Sequence, residues 1–107
     1  MSELEITPEE VRELRDAGEP FTLLDVREPW ELQTARISGS TNIVMNEIPA
    51  RVAELERNAP IVVICHHGVR SLNVTAWLRR QGFTNVRSMR GGIDAWSRSI
   101  DPNVPVY

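Results

Sequence analysis

Cys65 is the only cysteine in the 107-residue chain, and it follows Ile61-Val62-Val63-Ile64, four β-branched residues in a row. Such a run reads as a strand buried on both faces in the middle of a parallel sheet, and Ser71 onward reads as a helix. Cys65 to Arg70 is then the turn between them. A helix starting there points its first unpaired N–H groups and the positive end of its dipole back at the strand end, which makes an anion cradle with Cys65 at its lip. The helix terminus, Arg70 and a protonated His66 or His67 all favour thiolate over thiol, so Cys65 is a candidate nucleophile. A free cysteine ending an apolar strand is ordinarily a small core residue. Its place at the head of a strand-to-helix turn is what argues for chemistry.

Other residue types narrow the options. All twelve basic residues are arginine. Without lysine there is no Schiff-base chemistry and no lysine-type phosphate loop, so covalent catalysis falls to Cys65 or a hydroxyl. The arginines are scattered, which argues against nucleic-acid binding in a chain of net charge −3. His66 and His67 are adjacent, and neighbouring loop side chains usually point apart. No further Cys or His offers a third ligand, so no metal and no cofactor is expected. Asp25, at the carboxyl end of Phe21-Thr22-Leu23-Leu24-Asp25-Val26, lies where open α/β sheets place ligands. With Arg27, Glu28 and Glu31 close by, it is most simply part of an ion-pair network.

The positioning elements follow from local signals. Leu4 and Ile6 suggest a short first strand. Thr7-Pro8-Glu9-Glu10 combines an N-cap, a proline at the first helical position and a capping-box glutamate, so a helix starts at Pro8, stapled by Ile6 and Val11 and stopped at Gly18. Phe21 to Val26 is a second, central strand. Pro29 to Ala35 is a short helix, Ser38-Gly39 a turn and Thr41 to Val44 a third strand. Asn46 caps a helix carrying Ile48, Val52 and Leu55 on one face, ended by Asn58-Ala59-Pro60. The helix from Ser71 to Gln81, stopped by Gly82, turns Val74, Trp77 and Leu78 inward. Asn85 to Met89 is the last strand, Gly91-Gly92 opens the last helix, and Asp101 to Tyr107 is an extended strap over the surface. Alternation of strands and helices predicts an α/β fold: a parallel sheet of about five strands, helices on both faces and right-handed crossovers.

Cys65-His66-His67-Gly68-Val69-Arg70-Ser71 resembles the active-site loop of rhodanese-like sulfurtransferases. Asp25-Val26-Arg27-Glu28-Pro29-Trp30-Glu31 and Gly91-Gly92-Ile93-Asp94-Ala95-Trp96 are similar to the two segments by which that family is usually recognised. The resemblance runs along nearly the whole chain and implies one rhodanese domain over residues 1–107, with 100–107 as its tail. Similar tails occur in stand-alone rhodaneses and in rhodanese domains fused to adenylyltransferases that activate sulfur carriers. It implies Cys65 as the catalytic residue, carrying a sulfane sulfur as a persulfide, and His66, His67, Gly68, Val69, Arg70 and Ser71 as the substrate-binding loop. Asp25, Arg27 and Glu31 are placed beside that loop as support. Ala35-Arg36-Ile37-Ser38-Gly39-Ser40 departs from the family's Gly-His-Ile-Pro-Gly-Ala: the turn glycine remains, but Arg36 replaces the histidine in that supporting position.

The activity so implied is sulfur transfer from thiosulfate or a related small sulfane donor to a thiol, cyanide or a protein acceptor. Loop N–H groups from His66 to Ser71 would surround the anionic outer sulfur, and Arg70 would attract the anionic donor. The alternatives are a non-catalytic interaction module of this fold and a cysteine phosphatase or arsenate reductase. In the phosphatase cradle five residues separate Cys from Arg; here only four separate Cys65 from Arg70, one fewer than a tetrahedral oxyanion needs. Composition sets the remaining bounds. A chain of this length suits one core burying roughly 60–70% of its unfolded surface. The first ten residues lack a basic start and an apolar run, and no stretch is long enough to span a bilayer. A single thiol fits a reducing compartment, so a cytoplasmic, non-membrane protein is expected.

Overall fold

The computed structural model describes residues 3–107. Five strands, β1 (Glu5–Ile6), β2 (Thr22–Asp25), β3 (Thr41–Asn42), β4 (Ile61–Ile64) and β5 (Val86–Met89), form one sheet in the order β1-β5-β4-β2-β3. Every pairing is parallel. The β-branched run is therefore the middle strand, and all four of its residues are buried, as a strand covered on both faces requires. β2, expected to be central, lies one place off the middle, with Asp25 opposite Ile64.

Alternation along β4 divides the core in two. Val62 and Ile64 pack with Ile6, Val11, Leu23, Ile93 and Trp96, beneath α1 (Pro8–Asp16) and α5 (Gly92–Ser99). Ile61 and Val63 pack with Leu24, Ile48, Val74, Leu78 and Phe83, beneath α3 (Ile48–Arg51) and α4 (Val69–Arg80). Each fully buried side chain of this kind contributes about 1.5–3 kcal/mol. Trp77 is only partly buried against the second cluster; it also lines a groove with Met45, Ile48 and Pro49.

Local signals act as expected at α1. The Glu10 N–H donates to Thr7 Oγ1 at 3.1 Å and the Thr7 N–H to Glu10 Oε1 at 3.0 Å, closing the capping box. Gly18, with φ +71°, follows the helix end. Between β2 and β3 lies α2 (Pro29–Thr34).

Four segments differ from the sequence expectation. Residues 45–54 form one α-helical turn between two 3₁₀ turns, Met45–Glu47 and Val52–Glu54. Pro49 has no N–H to continue the ladder from Met45, whose carbonyl accepts from Ile48 in a 3₁₀ bond instead. Asn46 thus lies inside the first 3₁₀ turn rather than at a cap. α4 begins at Val69, two residues before Ser71, because Gly68 at φ +100° takes the N-cap and its carbonyl accepts from the Leu72 N–H. β3 stops at Asn42, where the Asn42 amide turns to the carbonyls of Asp25 and Arg27 at 2.9 and 3.0 Å. The tail lies largely at the surface but is not extended throughout. It closes a turn, with the Val104 N–H donating to the Asp101 carbonyl at 3.1 Å, and buries Val104 in the first cluster. Among the described residues no helix is long and apolar enough to cross a membrane.

Candidate functional site

β4 delivers Cys65 to the carboxyl edge of the sheet, and the side chain is buried, with the residue 1% exposed. It was expected at the lip of the turn; it lies beneath it. The left-handed Gly68 turns its N–H onto Sγ at 3.1 Å, and Ser71, in the first turn of α4, adds a second N–H at 3.3 Å. The Ser71 hydroxyl is 3.3 Å from Sγ and 2.7 Å from the Ser88 hydroxyl. Two backbone N–H groups thus converge on one sulfur, an arrangement that stabilises negative charge there, while the Sγ–H donates to the Ser71 hydroxyl oxygen. Because Val69 and Arg70 are already helical, only His66, His67 and Gly68 separate Cys65 from the helix. Val69 is 70% exposed.

The paired glycines hold this turn from the other side. Gly92 sits against the carbonyls of Cys65 and His66, where a Cβ would lie 2.5 Å from the Cys65 oxygen. Those carbonyls accept the N–H groups of Ile93 at 2.8 Å and Asp94 at 3.1 Å. The start of α5 therefore clamps the backbone on which the thiol stands.

His66 and His67 do not point apart. Their rings stack at 3.8 Å, and the Tyr107 ring stacks on the free face of His66 at 3.8 Å and 4°. His66 Nε2 lies 2.7 Å from the backbone oxygen of Tyr107. A third potential metal ligand is also present: ring nitrogens of His66 and His67 and a carboxylate oxygen of Asp94 lie within 4.8 Å of one another. Asp94 already pairs with Arg98 at 3.0 Å, and His66 Nε2 already faces the Tyr107 backbone oxygen at 2.7 Å.

The supporting residues form two linked ion pairs. Asp25 and Arg27 are both 0% exposed. Arg27 donates to Asp25 through Nε at 3.0 Å and Nη2 at 2.7 Å, to the Ala35 carbonyl at 2.8 Å and to the Tyr107 hydroxyl at 2.9 Å. Such a buried pair is tolerable because its donors and acceptors are matched; Asp25 serves Arg27. Glu31 accepts both Arg70 nitrogens at 2.8 Å and the Tyr107 hydroxyl at 2.6 Å. Arg70 beside it, then the Tyr107 hydroxyl and the Glu28 N–H, hold the Glu31 carboxyl down at about 2 against the opposing effect of burial. Arg70, expected to meet the donor anion, has its fork occupied by Glu31. Arg36 is exposed, and no hydrogen bond or ion pair connects it to this network among the described residues.

Tyr107, Ser88 and Asp94 were not singled out from sequence. Tyr107 meets Glu31 across 76 residues and Arg27 across 80; no local pattern encodes such a contact. The glycine pair before Asp94 was the one available pointer to α5.

The family description "Rhodanese-like domain" matches residues 7–99. The chain is 38% identical to a Pseudomonas aeruginosa protein named thiosulfate sulfurtransferase GlpE, covering 91% of this chain and 86% of that one. It is also 38% identical to maize adenylyltransferase and sulfurtransferase MOCS3-1 over 95% of its own length, but spans only 23% of that larger protein. A crystal structure of a rhodanese-related protein from Thermoplasma volcanium superposes with a TM-score of 0.79 at 36% identity, covering 96% of each chain.

Proposed function

This chain belongs to the rhodanese-like domain family, and from that premise we propose that it transfers sulfane sulfur through a persulfide on Cys65. The carrying observation is the pair of N–H groups, from Gly68 and Ser71, aimed at the sulfur of the only cysteine. The Cys65 thiolate attacks the outer sulfur of thiosulfate, forming a new S–S bond while the old one breaks and sulfite leaves with its electron pair. A thiol, cyanide or acceptor protein then attacks the outer persulfide sulfur, and Cys65 departs as thiolate. At both steps negative charge resides on sulfur that the loop already faces, so little reorganisation is needed; removing one such donor typically costs on the order of 3 kcal/mol of barrier, about a hundredfold in rate. Relatives named thiosulfate sulfurtransferase support the donor class. With its fork on Glu31, Arg70 acts on the donor through its field and through the helix end it occupies rather than by a free guanidinium.

Intact mass after incubation with thiosulfate tests the reading, with Cys65→Ser alongside and thiocyanate assayed after cyanide. The expected result is one added sulfur on the wild type only, discharged by cyanide. No added sulfur and no thiocyanate would sink it.

A further inference from the structure

We infer that Tyr107 is a positioning residue for the Cys65 turn, holding His66 by ring and backbone and the Glu31–Arg70 pair by its hydroxyl. The contacts are independent of one another. The ring lies parallel to His66 at 3.8 Å, the backbone oxygen is 2.7 Å from His66 Nε2, and the hydroxyl donates to Glu31 at 2.6 Å while accepting from Arg27 at 2.9 Å. The Trp30 ring meets Tyr107 edge-on at 6.3 Å, and Val104, three residues earlier, is anchored in the core. Tyr107 is thus fixed by groups outside the turn and hands that rigidity to His66, the residue bonded directly to Cys65.

This placement matters because Cys65 is 1% exposed. Access to its sulfur depends on how the turn sits, and two contacts restrain the turn at His66: α5 grips its backbone at the carbonyls of Cys65 and His66, and Tyr107 grips the His66 side chain. Loss of the second leaves the first, so the fold persists while the turn loosens. The geometry that aims the Gly68 and Ser71 N–H groups at sulfur is then sampled less often, and the thiol is uncovered more often. Tyr107 touches no reacting atom; it acts through His66.

The test compares Tyr107→Leu, which removes stack and hydroxyl, with Tyr107→Phe, which keeps the stack and the backbone oxygen. In folded protein, iodoacetamide should alkylate Cys65 about tenfold faster in the leucine variant, the factor expected for losing one stacked aromatic pair, and at close to the wild-type rate in the phenylalanine variant. In the thiosulfate–cyanide assay kcat should fall about tenfold for leucine with KM little changed, and phenylalanine should recover most of it. A folded leucine variant with wild-type alkylation and wild-type kcat overturns the proposal. Should leucine not fold, His66→Ala breaks the same contact from the other side, and an unaltered alkylation rate there overturns it equally. The catalytic half rests on the sulfur-transfer reading, whereas alkylation does not. Faster alkylation in a protein that takes no sulfur would remove the transfer reading and leave the positioning role. Sulfur uptake with unchanged alkylation would do the reverse.

Discussion

Glu31 is where charge, hydrogen bonding and burial meet most directly. Its carboxylate is shared between the Arg70 fork and the Tyr107 hydroxyl, and Arg70 is the largest reason its pKa falls from 4.5 to about 2. A carboxyl depressed in the folded state contributes stability that is complete above its unfolded pKa and is lost as pH falls through the folded one. The window here runs from about 4.5 down to about 2, and the linked stability is about 3 kcal/mol as an order of magnitude. Urea unfolding of wild type and Glu31→Gln should therefore show a gap at pH 6 that has largely closed near pH 2. A gap of equal size at both would remove Glu31 as its source. Tyr107 shows the complementary effect: burial first, then its bond to Glu31, pushes its hydroxyl up to about 12, so it stays a donor throughout the neutral range.

At the scale of elements, the start of α5 governs the Cys65 turn more than the turn's own residues do. Gly92 has φ +63° and lies on the carbonyls of Cys65 and His66. Gly39 has a comparable φ of +85° but nothing within 4 Å of an added Cβ, which makes it a matched control. Alanine at either site bears the left-handed backbone penalty, about 1–2 kcal/mol. Only Gly92→Ala must also push the turn away, so its loss of stability by urea titration should exceed that of Gly39→Ala, and it alone should lower sulfur loading of Cys65. Equal losses with full loading in both would show that the close approach is unimportant. The 3₁₀ turns around Ile48–Arg51 carry a different lesson. An apolar stripe at helical spacing specifies which face is buried, while the missing Pro49 N–H determines how tightly that face is wound.

For the molecule as a whole, the sheet order places the strand buried along its whole length between β2 and β5 and leaves two-residue strands, β1 and β3, at the edges. Short edge strands limit pairing with other chains. They should also open first, since little buried apolar surface holds them. Amide hydrogen exchange should be slowest at β4 and the interior of β2, and faster at Glu5 and Thr41. Uniform protection across all five strands would contradict this two-layered core with a single stiff centre. Because Cys65 continues the fully buried middle strand, its backbone is anchored on one side by the centre of the sheet and on the other by a turn held through tertiary contacts.

What the sequence by itself determined is encoded over a few neighbouring residues. The capping box at Thr7 and Glu10, the β4 run, the turn glycines and the place of Cys65 at a strand end were legible because their causes are local sterics and hydrogen bonding. The order of strands and helices was legible too, since alternation of elements implies a parallel sheet. Tertiary structure alone decided that Cys65 is buried rather than at the lip, that Arg70 faces Glu31, that the two histidines stack, and that Tyr107 reaches the site. The contacts of Glu31 with Arg70 and with Tyr107 join groups across long stretches of chain, 39 and 76 residues apart. Side-chain direction in a turn is set by the surface packed against it, and that surface exists only once the sheet has assembled.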